Sequence, residues 1–147
     1  MKLGVVAVLA VALSGSALAT PTSRRLDLRT VEAAFYHAKI PFESDWRPTA
    51  VNPYLVPRPV SPFEVEMLPP SLRPHLVGWA GRVSPATFKG GAVWVFDAQA
   101  PAAAFARWCK QKCNLQKDGV YLQARNVVYV GVSSPVVAKV MAQLGRS

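Results

Sequence analysis

Residues that carry chemistry are scarce in this chain: 147 residues hold two cysteines, two histidines and eight carboxylates, against seventeen lysines and arginines. Two cysteines are too few for a small scaffold stapled by several disulfides. His37 and His75 sit at no metal-ligand spacing from each other or from the cysteines, so no metal site and no cofactor is expected. There is no G-x-S-x-G elbow, no H-E-x-x-H, no phosphate loop and no dinucleotide fingerprint. The commonest sequence-legible enzyme classes therefore lose their support, and no catalytic class is identifiable. Charge is also sparse, at 17% of residues, while 51% are hydrophobic. That balance excludes a disordered chain and suits one globular core.

The first residues read as an address. Lys2 precedes an apolar run over 3–13 that only Gly4 interrupts, Ser14-Gly15-Ser16 breaks it, and Ala17-Leu18-Ala19 is the small-x-small pattern of a signal-peptidase site. The run is shorter than the roughly 20 residues a membrane-spanning helix needs. No cysteine follows it, so a lipid anchor has no acceptor. The expectation is a secretory signal peptide over 1–19, cleaved after Ala19, and a periplasmic or extracellular product with no transmembrane segment. Cleavage removes Lys2 and no acid, taking the net charge from +9 to +8.

Residues 20–29 are polar and include Arg24-Arg25, which predicts a flexible N-terminal arm. Residues 30–147 are expected to form a single domain. Thr30 is a suitable N-cap with Glu32 in the first turn, and Val31, Ala34, Phe35 and Ala38 follow at helical spacing until Pro41. Residues 41–74 hold nine prolines among 34 residues, yet also Phe42, Trp46, Tyr54, Leu55, Phe63 and Met67. Proline removes amide donors and blocks helices, while so many large apolar groups argue against a linker. This segment is expected to be an irregular wrap that lays anchors on the core, with a binding loop as the alternative.

Beyond it the pattern sharpens. Residues 76–83 predict a strand, and 92–96 form a continuous apolar run that predicts a central one. Pro101 opens a helix with Ala102, Phe105, Trp108 and Cys109 on one face. Asp118-Gly119 marks a turn, and 120–124 and 126–132 predict two strands or one bent strand. Ser134-Pro135 starts a last helix carrying Val137, Val140, Met141 and Leu144, with Gly145 as its stop. The fold class expected is α+β: a two-layer domain with an antiparallel or mixed sheet of about four strands and two to three helices on one face.

Cys109 and Cys113, four apart late in a helix, favour a structural disulfide in an oxidising compartment. A redox pair would have two intervening residues, and a metal site would need His37 or His75 as well. His75, with Glu64 or Glu66 and Arg73, is the weak candidate for catalysis. Small basic secreted ribonucleases use a glutamate, a histidine and arginines, so the alternative function is a nuclease-like hydrolase. Arg107, Lys110, Lys112 and Lys117 surround the cysteines and form the candidate anion-binding patch, unless they are only a solubilising helix face. Trp94 and Trp108 fall on apolar periods and are expected in the core. No specific nucleic-acid motif is present.

In element order, residues 92–144 resemble the SPOR domains, which bind bare glycan strands of peptidoglycan. Those have a strand, an alanine-rich helix, two strands with a V-x-V-G stretch in the second, and another helix. The matching pieces are residues 92–96 and 102–108, Val127-Val128-Tyr129-Val130-Gly131, and 135–144. The first strand lacks that family's glycine-aromatic ending and no strand follows the last helix. The likeness covers about a third of the chain and implies contact with envelope glycan. The expected function is thus a basic binding or accessory domain for an anionic polymer, an envelope component or a protein partner, leaning away from enzyme.

Overall fold

The computed structural model describes residues 24–47, 68–82, 90–113, 119–132 and 134–147. Residues 1–23, most of the proline-rich region with Glu64 and Glu66, and Lys117 lie outside the described residues. In chain order the elements are α1 (Leu28–His37), β1 (Ser44–Trp46), a 3-10 turn (Arg73–His75), β2 (Leu76–Arg82), β3 (Gly91–Phe96), α2 (Gln99–Lys112), β4 (Gly119–Ala124), β5 (Val127–Val132) and α3 (Pro135–Arg146). The strands form one five-stranded sheet, ordered β1-β2-β3-β5-β4 and antiparallel throughout. The α+β class, the antiparallel sheet and three helices packed against it agree with expectation.

The layering does not. Two to three helices were expected on one face, and the three observed divide between two. Val93 and Val95 of β3 face a core shared with Val31 and Phe35 of α1 and Val137, Val140 and Met141 of α3. Trp94 and Phe96, the alternate residues, face a second core with Ala102, Phe105 and Cys109 of α2. A strand apolar on both sides needs cover on both sides, so the run over 92–96 already demanded three layers. The sheet has five strands where about four were expected, the added one arising because Ser44, Asp45 and Trp46 pair with Gly81, Ala80 and Trp79. Register then places Trp46, Trp79 and Trp94 in one line across three strands, and the Trp79 and Trp94 rings meet edge to face at 6.2 Å.

Three local expectations are corrected. Residues 26–29 belong to the domain rather than to an arm: Leu26 and Leu28 are buried. The N-cap of α1 is therefore Asp27 and not Thr30. The Asp27 carboxylate accepts from Thr30 N at 2.7 Å, and Leu28 extends the apolar stripe of the helix by one turn. Gly145 does not stop α3, which continues to Arg146; the glycine faces open space, and nothing at its position requires a left-handed backbone.

Hydrogen bonds from the Thr30 amide and then from its side chain, with smaller contributions from Arg29 and Arg47, hold the Asp27 carboxyl below the usual carboxylate range. A depressed folded value means the cap's contribution is complete above the unfolded value, near pH 4, and is lost as pH falls through the lower one. Asp27→Ala is expected to cost about 1 kcal/mol at neutral pH. In urea titrations the gap from wild type should close in strong acid; a gap that persists there would mean that the carboxylate is not the capping group.

Candidate functional site

Two places collect the residues singled out in the sequence. The first lies where β2 begins and β3 ends. Antiparallel pairing sets Leu76 against Phe96, which brings the preceding residue, His75, beside the following one, Asp97. Asp97 N donates to His75 O at 2.8 Å, and His75 Nδ1 lies 2.9 and 3.1 Å from the two Asp97 carboxylate oxygens. The 3-10 turn supports the histidine from behind: His75 N donates to Leu72 O at 3.1 Å, and Leu72 and Leu76 are both buried.

The side chains of His75 and Asp97 are 45% and 35% exposed. An ionised carboxylate only accepts hydrogen bonds, so Nδ1 carries a proton and the neutral ring keeps its lone pair on Nε2. This is the geometry of an oriented base. Arg73 is near in sequence but is turned to the backbone, donating from Nε to Leu68 O at 3.0 Å. Among the described residues no further side chain hydrogen-bonds to the imidazole. Glu64 and Glu66, the expected partners, are outside the described residues; among the described residues Asp97 is the carboxylate that pairs with His75. Its signal was available only through strand register.

The second place is the outer side of α2. Cys109 and Cys113 are joined by a disulfide with their Cα atoms 4.7 Å apart, as expected. Cys109 is fully buried beneath the helix. Trp94 and Phe105 are also buried, while Trp108 is only half-buried and, with Leu68, Phe105, the disulfide and Val130, lines an apolar cleft of about 90 Å³. Arg107, Lys110 and Lys112 are exposed. The stretch Gln99–Lys112 contains no carboxylate, and none of the three cations enters an ion pair among the described residues. Lys110 and Lys112 also lie in the last turn of the helix, where positive charge offsets the macrodipole.

The four acids of residues 24–47 are concentrated elsewhere, around α1 and β1. There Arg47 is shared between Glu32 at 2.9 Å and Asp45 at 3.4 Å. Partial burial, and then the neighbouring Asp45, raise the Glu32 carboxyl above its ordinary value. The outer side of α2 thus carries positive charge with no carboxylate of its own helix to offset it.

Together these features define a small three-layer α+β domain with a basic helical surface and a separate, oriented histidine–aspartate pair. Comparison with protein-family models, with curated proteins and with solved structures finds no match for the chain.

Proposed function

We propose that the protein is an exported, non-catalytic binding domain whose α2 surface contacts an anionic component of the cell envelope or an acidic protein partner. The observation that carries this reading is the set of exposed, unopposed cations Arg107, Lys110 and Lys112 on a helix free of acids. The half-buried Trp108 adds an apolar edge to the same surface. Export rests on residues 1–19, whose pattern is that of a cleaved signal peptide.

The His75–Asp97 pair favours a second reading, a small hydrolase of phosphodiesters with His75 as general base. One experiment separates the two. The protein is cosedimented with isolated cell envelopes at low and high salt, and RNA hydrolysis is assayed in parallel. Under the binding reading, Lys110→Glu with Lys112→Glu lowers low-salt retention about tenfold, because a charge-driven contact is screened by salt and reversed by acids. His75→Ala leaves retention unchanged. Hydrolysis that His75→Ala abolishes in a folded protein would replace the binding reading with the hydrolase. Retention unaffected by salt and by the double variant would remove the α2 patch from the argument and point to uncharged envelope glycan.

A further inference from the structure

On the opposite face of the sheet, the end of α1 and the start of α3 stand apart over the edge of β3 and β5. The gap is a cleft of about 310 Å³, floored by Phe35, Tyr129 and Val137 and walled by Ile40, Phe42 and Val136. Its size is at the lower end of small-molecule sites, and its mostly apolar lining with few polar groups is their usual composition. The sequence makes this space deliberately shallow at one point. Gly91 and Gly131 face each other across β3 and β5, and a Cβ on Gly91 would lie 2.1 Å from the Tyr129 hydroxyl. Only glycine there lets the tyrosine ring lie down as the floor.

Lys39 and Ser134 are the polar side chains at the rim. Lys39 is the residue after the C-cap of α1 and has φ 65°. Its amide donates to Tyr36 O at 2.9 Å, and that of Ile40 to Phe35 O at 3.0 Å, the two bonds of a Schellman ending. That position favours glycine, and a side chain there costs stability. The chain keeps a lysine at a strained backbone position, where it lines the cleft. An adjoining groove, which shares Ala38 and Val136, adds His37 and Lys139. No carboxylate lines either space among the described residues.

From the apolar floor and a rim that carries Lys39 and no carboxylate we infer that this cleft binds a small monoanion with an apolar body, a medium-chain carboxylate, with Lys39 receiving the carboxylate. This site is distinct from α2 and does not depend on the function proposed for it. The test is an amide-resolved NMR titration of the protein with octanoate, and with 1-octanol as the uncharged counterpart. Octanoate should give saturable shifts clustered at Phe35, Lys39, Tyr129 and Ser134, and should bind more tightly than octanol. Lys39→Gly should weaken octanoate about tenfold, the loss of one charge-assisted contact, and leave octanol unchanged. Glycine suits the backbone at residue 39, so the variant keeps its fold with a thermal midpoint no lower than wild type, and a loss of affinity reports the ammonium rather than a loss of structure. Absence of saturable shifts in the cleft, equal affinity for octanol, or undiminished octanoate binding by Lys39→Gly would each overturn the assignment.

Discussion

Asn126→Ala is expected to destabilise the domain by about 3 kcal/mol. Asn126 is 2% exposed and is the buried polar residue of the described core. Its amide nitrogen donates to Leu26 O and to Phe96 O, each at 2.8 Å, and its side-chain oxygen accepts from Leu26 N at 2.9 Å. Three buried backbone groups from two distant segments depend on this one side chain. Alanine would leave all three without partners, and an unmet buried group costs about 1–3 kcal/mol, less whatever an entering water recovers.

Asn126→Asp makes the sharper comparison. The carboxylate keeps the acceptor but faces two carbonyl oxygens with no donor to offer. It should be the worse variant at neutral pH and approach alanine or better in acid, when a protonated carboxyl can donate. Urea midpoints across pH measure both variants. A loss below about 1 kcal/mol for alanine would mean that the three groups are readily rehydrated. The backbone of Asn126 matters as well: Phe96 N donates to Asn126 O at 2.9 Å, so the residue grips Phe96 at both its amide and its carbonyl. Asp97 follows directly. The pairing of His75 with Asp97 therefore relies on a turn about thirty residues further along the chain, and both Asn126 variants should loosen it.

That dependence explains which parts of the molecule the sequence disclosed. β3, α2, β5 and α3 were legible because each has a local apolar period: Val137, Val140, Met141 and Leu144 repeat helically whatever surrounds them. The Cys109–Cys113 bond was legible because its partners are four residues apart. The 125–126 turn was less so. Ala124 pairs with Val127, leaving a two-residue loop, and Arg125 at φ 56° occupies a position where glycine is usual. No glycine marked it, so one bent strand remained an alternative to the hairpin.

Asp97 and Asn126 were invisible for a different reason. Each acts on a residue 22 to 100 positions away, and nothing local distinguishes them from surface residues. The two-sided packing of the sheet was legible in principle. A run such as Ala92-Val93-Trp94-Val95-Phe96 has no polar face to give to solvent, and helices cover it on both sides.

Phe105→Ala should be the most damaging change on α2, costing about 4 kcal/mol. Phe105 is 2% exposed and its ring lies 5.1 Å from Trp94, 5.4 Å from Phe96 and 6.0 Å from Trp108. It is the point where the helix is seated on the sheet. The disulfide one turn later is the more conspicuous feature, but it closes a loop so short that chain entropy assigns it only about 2 kcal/mol. Reduction should therefore lower the urea midpoint by about half as much as the alanine change, and should leave tryptophan fluorescence largely native. Phe105→Ala should alter that fluorescence before the main transition, because two of its ring neighbours are tryptophans. Reduction costing more than the alanine change would make the crosslink, and not the aromatic seat, the main restraint on α2. The distinction reaches the proposed function. Arg107, Lys110 and Lys112 are held in common register only while α2 is docked, so reduced protein should still sediment with envelopes at low salt, and Phe105→Ala should not.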